Sequence, residues 1–186
     1  MARKRKKRTP RERPAVEWRE SRTAKRQDEL HTPDGVLATL RWAGMFSYFA
    51  TGGTGDRQWQ FDRPRLLSRD VEVRAAGADQ GEPFARYHPG WWPGGELYLA
   101  DGRVLHWAPT NFWQTQWVFT DETERVLVQF VDTSRLFEQS AAVTYVDRGL
   151  RETDRALLLV LGRYLLALQA RDSAAIAASA STAAIT

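Results

Sequence analysis

Six consecutive basic residues, Arg3, Lys4, Arg5, Lys6, Lys7 and Arg8, are the first feature of this sequence able to do chemistry. Charge at that density attracts anionic lipid at about 1 kcal/mol per residue near a surface, or neutralises nucleic-acid phosphates with steep salt dependence. Charge alone does not choose between these, and a solvated extension is the plainest alternative. A second candidate is His88-Pro89-Gly90-Trp91-Trp92-Pro93-Gly94-Gly95, which sets two adjacent Trp in a turn-rich segment. Exposed Trp favours the membrane interface, so two exposed rings would be anchors. Neighbouring residues of a strand face opposite sides, so the ordinary expectation is one Trp in the core and one on the surface.

Catalytic machinery is not evident, and the expectation is a protein that is not an enzyme and needs neither cofactor nor metal. The three histidines, His31, His88 and His106, are far apart in sequence, with neither metal-ligand spacing nor a Ser-His-Asp arrangement. His106, between Leu105 and Trp107, reads as a satisfied strand residue. Asp121 and Glu122 fall in a polar turn, where their expected role is turn formation. Gly52-Gly53-Thr54-Gly55 reads as a hairpin loop and not a phosphate cradle, because Asp56-Arg57-Gln58-Trp59 leads into a strand where a cradle requires a helix. Cysteine is absent, which excludes disulfides, thiol catalysis and thiolate zinc sites. A cavity lined by Trp would suit a small molecule, and this is the alternative kept for a binding role.

These residues must be positioned by 186 residues, a length that supports one domain with a real core. The net charge of +4 conceals an asymmetry: twelve Lys or Arg against three Glu up to Arg26, then fifteen basic against twenty acidic residues. Residues 1–28 read as a disordered basic tail without apolar periodicity. The domain is placed at 29–172. From Val36 to Tyr145 short β-branched and aromatic runs alternate with Gly, Pro and Asp, as successive strands do. Strands are expected at Val36–Trp42, Met45–Ala50, Arg57–Phe61 and Asp70–Ala75, and a hairpin turns at Asp101-Gly102 between Leu97–Leu99 and Val104–Trp107. Phe112 to Phe119 reads as a strand with Trp113, Thr115, Trp117 and Phe119 on one face, and Val126, Val128 and Phe130 line the next. Thr153 is the expected N-cap of a helix over about 153–172, apolar on all sides from Ala156 to Leu168 except for Gly162 and Arg163. Thirteen residues are short of a membrane span, so the helix must be enclosed by protein. Residues 173–186, Ala and Ser, read as a second disordered tail.

The order of many antiparallel strands followed by one wholly apolar helix resembles the tubby-like superfamily, in particular the branch of phospholipid scramblases and plant LURP-one-related proteins. The resemblance rests on Gly95-Glu96-Leu97-Tyr98-Leu99-Ala100-Asp101-Gly102, Leu105-His106-Trp107, Asn111-Phe112-Trp113, Trp117-Val118-Phe119-Thr120-Asp121-Glu122 and the helix Ala156 to Leu168. It covers about Asp34 to Leu168. It implies a mainly β protein, a closed antiparallel barrel of about twelve strands around a central hydrophobic C-terminal helix. The chain departs from scramblases in lacking a cysteine cluster and a calcium-ligand loop, and in carrying Arg163. The functional expectation is a monomeric module that binds a membrane surface or anionic lipid through Arg3 to Arg8, Trp91 and Trp92. Its expected location is cytoplasmic or peripheral to a membrane, since no apolar stretch follows the basic start. Nucleic acid bound through the tail is the alternative partner.

Overall fold

The computed structural model describes residues 16–45, 47–55, 57–64, 68–77, 82–133, 140–145 and 149–183, and the side chains of these up to 174 except 145. The tail run Arg3 to Arg8 lies outside the described residues. Twelve strands form one closed antiparallel barrel, each beside its sequence neighbours, and β1 completes the ring against β12. They are β1 (Glu17–Glu20), β2 (Gln27–Thr32), β3 (Gly35–Trp42), β4 (Ala50–Thr54), β5 (Arg57–Asp62) and β6 (Val71–Ala75), then β7 (Ala85–Pro89), β8 (Gly95–Leu99), β9 (Val104–Pro109), β10 (Gln116–Thr120), β11 (Val126–Asp132) and β12 (Ala141–Tyr145). The helix α1 (Glu152–Ala183) runs through the barrel and packs on β3, β4, β5 and β11. The expected fold class is thus the observed one.

Alternation along the strands explains why the barrel closes around a helix. Leu97 and Leu99, Leu105 and Trp107, and Val128 and Phe130 point inward, where α1 supplies Leu157, Leu158, Leu161 and Leu165. Each such side chain contributes about 1.5–3 kcal/mol on leaving water, so the inner faces and the helix stabilise each other. Trp107 stacks on Trp117 with centroids 5.2 Å apart and lies 5.5 Å from Phe130. Outward positions hold Glu29, Arg41, Gln58, Glu72, Arg86 and Glu96, the reverse of the apolar belt that a membrane-spanning barrel turns to lipid. Among the described residues no helix is long and apolar enough to cross a membrane.

Several expected boundaries are corrected. The domain begins before residue 29: β1 pairs with β2 and β12, and Trp18 is fully buried, a single apolar residue hidden from pattern reading by its charged neighbours. The helix begins at Glu152, with the Arg155 amide donating to the Arg151 carbonyl at 2.9 Å, so Thr153 lies in the first turn and is not the cap. It also continues past 172, because an Ala-rich run holds helical geometry at little cost. Of the described residues in the stretch 45–50, only Ala50 is in a strand, since the Ser47 hydroxyl accepts from the Phe49 amide at 3.0 Å and bends the chain. Gly52 and Gly53 are strand residues and not a loop. A Cβ at Gly52 would lie 2.6 Å from Val160 Cγ1, so glycine here is what lets α1 approach β4.

Candidate functional site

Since every strand is antiparallel to its neighbours, alternate connections share one end of the barrel. The described parts of 21–26, 43–49, 63–70, 90–94 and 110–115 surround the end where α1 leaves; those of 33–34, 76–84, 100–103 and 121–125 surround the end where it enters. The entry end is tied shut: Asp154 of α1 takes Arg103 at 2.8 Å and Arg151 at 2.9 Å, and Arg151 also reaches Asp101.

The exit end is held differently. Tyr164 stacks between Trp42 and Phe61, each 5.1 Å away, and its hydroxyl donates to the Tyr48 carbonyl. Burial pushes this phenol above its ordinary pKa, so it remains a neutral donor. Arg171 lies 3.6 Å over the Trp42 ring and donates to the Ser47 carbonyl at 2.7 Å, while Arg63 pairs with Asp172 at 2.9 Å.

Around this held helix the exit end presents large apolar side chains to solvent. Trp91 is 104% exposed, Trp92 86%, Phe112 88% and Trp113 79%, with Met45 and Tyr48 also exposed. The expectation of one buried and one exposed Trp in the pair 91–92 is therefore overturned. The Gly90 amide donates to the Gly94 carbonyl at 2.8 Å, closing a loop that projects both rings outward instead of continuing a strand. Gly94 has φ of 122°, and a Cβ there would sit 2.3 Å from the Trp107 carbonyl oxygen, so the loop is pinned to β9.

Trp113 and Thr115 are likewise not core residues of a strand. The Asn111 side-chain oxygen accepts from the amides of Thr115 at 3.0 Å and Gln116 at 3.4 Å, and Gln114 takes φ of 53°. This local side-chain turn delays β10 until Gln116 and leaves Phe112 and Trp113 in mutual edge contact at 5.3 Å. The sequence pattern Asn111-Phe112-Trp113 held the signal, but alternation with Trp117 and Phe119 outweighed it.

Charge follows the same polarity. In the described exit-end connections Arg22, Lys25, Arg26, Arg63 and Arg69 face one carboxylate, Asp70. At the entry end Asp34, Glu82, Asp101, Asp121, Glu122 and Glu124 outnumber Arg103, Arg125 and Arg151. Four of the cations counted with the tail, Arg19, Arg22, Lys25 and Arg26, thus belong to the barrel.

Between the two exposed loops and the helix lies a cleft of about 300 Å³ lined by Arg63, Arg69, Tyr87, Trp91, Trp92 and Leu168, among others. Sequence reasoning missed Arg63, Arg69 and Tyr87, because the two arginines come from opposite ends of the connection between β5 and β6 and the tyrosine from β7, and they converge only when the barrel closes.

Among the described residues the three histidines stand apart from one another on the outer wall. His31 lies 3.2 Å from Glu29 and His88 Nδ1 3.1 Å from Asp70, both pairs on the outer wall. No hydroxyl is hydrogen-bonded to His88 among the described residues, so the pair lacks a nucleophile to activate. His106 is half-buried on the outer face of β9. Among the described residues no three His, Asp or Glu side chains cluster to hold a metal ion. Asp121 organises its turn as expected, accepting from the Thr123 hydroxyl and from the amides of Thr123 and Arg125. These bonds, that from the Thr123 hydroxyl foremost, lower its pKa to about 2. The chain matches no protein-family model, and neither curated proteins nor solved structures yield a match to it.

Proposed function

We propose that the protein is a non-enzymatic module that docks on anionic membrane surfaces with the helix-exit end of its barrel. The observation that carries this reading is the coincidence of Trp91, Trp92, Phe112 and Trp113 with the cationic end of a molecule whose opposite end is acidic. A contiguous exposed apolar patch rimmed by charge is the expected form of a membrane or partner surface. If half the area of each ring leaves water, each contributes about 2 kcal/mol. Each cation near anionic lipid adds about 1 kcal/mol. Stable anchoring takes two such signals, and here both reside on one face.

The Arg3 to Arg8 run is an additional attraction in this reading, separable from the rim. The tubby-like assignment rests on the sequence patterns quoted above, and the helix-filled barrel is the architecture it implies; function does not follow from fold alone.

The test is vesicle co-sedimentation of the full chain and of a chain beginning at Val16, on neutral and anionic vesicles, at low and high salt. The reading expects the shortened chain to bind anionic vesicles still, with only partial loss at high salt, since screening removes the cationic part and leaves the aromatic part. Binding confined to the full chain and abolished by salt would assign it to the tail and defeat the rim reading.

A further inference from the structure

The cleft at the exit end has chemistry that a flat docking surface does not need. Its wall includes Leu165 and Leu168 of α1 together with Trp91 and Trp92 of the 90–94 loop. Its polar lining is cationic: Arg63 and Arg69 accompany Asp172, which Arg63 already engages through both terminal nitrogens. Arg63 Nε is buried and has no hydrogen-bond partner among the described residues, and Arg69 makes no ion pair among them. Both guanidiniums lie close enough to Tyr87 to oppose the rise in its pKa, which burial nonetheless drives well above the ordinary phenol range. Tyr87 therefore stays a neutral O–H donor beside two cations.

One carboxylate against two guanidiniums leaves the cleft an excess of one positive charge. That balance suits an anionic head, a carboxylate or a phosphate monoester, and the adjoining leucine and tryptophan residues suit an apolar chain. At about 30 Å³ per non-hydrogen group, the volume accommodates about ten such groups. A ligand site of this kind combines a mostly apolar wall with a few convergent polar groups.

We propose that this cleft binds a small amphiphilic anion, its head between Arg63 and Arg69 and its chain against Leu165, Leu168 and Trp91. The inference concerns the same end of the barrel as membrane docking but does not depend on it, since the ligand is taken up from solution.

The test is calorimetric titration of the full chain, without vesicles, by octanoate and by octyl phosphate below their micelle concentrations, with octanol, acetate and inorganic phosphate as controls. Binding is expected from octanoate or octyl phosphate, or both, and the two arms tell a carboxylate head from a phosphate one. Octanol, acetate and phosphate should each bind at least about ten-fold more weakly than the better amphiphile. Arg69→Gln, at an exposed position that leaves the core intact, should weaken that ligand about ten-fold, and Trp91→Ala by a similar factor. Octanol binding as tightly as octanoate would reduce the cleft to an apolar surface, and phosphate binding as tightly as octyl phosphate would reduce it to a plain anion site. Either result, absence of binding by both amphiphiles, or indifference to Arg69→Gln overturns the proposal. A chain that pellets with vesicles yet ignores both amphiphiles defeats the cleft alone; the converse defeats docking alone.

Discussion

Arg163 Nε donates to Asp28 Oδ2 at 3.0 Å, so a charge in the middle of the apolar run Ala156 to Leu168 is fastened to the inner face of β2. Asp28 alternates with Leu30 on that face, and Arg163 is 4% exposed. The guanidinium that breaks the apolar run thereby fixes the rotation and height of α1 within the barrel.

Removing one member of this pair leaves the other buried in poor surroundings, and we expect Asp28→Ala to cost about 3 kcal/mol, near the low end for buried pairs. The low end applies because a cleft lined by Asp28, Arg163 and Arg171 brings water near. Urea unfolding checks this; replacing both partners by Leu and Met should recover most of the loss.

Gly162 sits where a Cβ would meet the Phe130 ring at 2.3 Å. Gly162→Ala gains about 1 kcal/mol of helix propensity and loses about 1–3 kcal/mol to overpacking. A net loss is expected in urea unfolding, and Phe130→Leu in the same chain should cost less than the two single losses together.

The low pKa of Asp121, about 2 in the folded barrel against about 3.9 unfolded, makes a pH-dependent contribution. Because the folded value is the lower, that stability is present above about pH 4 and is lost as pH falls toward 2. Thermal melts between these limits should show a shallower pH dependence for Asp121→Asn than for the natural chain.

Trp91, Trp92, Phe112 and Trp113 touch little in the barrel. Alanine at any one of them should change stability by no more than about 0.5 kcal/mol in the absence of lipid, as unfolding curves will show.

Fold class was legible in the residues because two patterns rarely coincide: alternation in short runs such as Leu97 to Leu99 and Leu105 to Trp107, and a helix apolar on every side that must be enclosed. What escaped reading was set by single contacts. Trp18 closes the barrel as the lone inward apolar residue of β1, Asn111 turns Phe112 and Trp113 outward by a side-chain hydrogen bond, and Gly52 is needed for the approach of Val160. Trp91 and Trp92 were legible as candidates, but their exposure depends on the Gly90–Gly94 closure. Arg63 and Arg69 flank the connection between β5 and β6 while Tyr87 lies on β7, and nothing in their spacing announces that they meet.

Contact between the exit-end rim and lipid stands at the centre of the proposed function. The most direct measurement is co-sedimentation with anionic vesicles of the chain beginning at Val16, compared with the same chain carrying Trp91→Ser, Trp92→Ser, Phe112→Ser and Trp113→Ser, after near-ultraviolet dichroism has established that both are folded. The four substitutions are expected to lower vesicle affinity by at least ten-fold, with most of what remains lost at high salt. Equal pelleting of the two chains would contradict this and move the lipid contact elsewhere on the molecule.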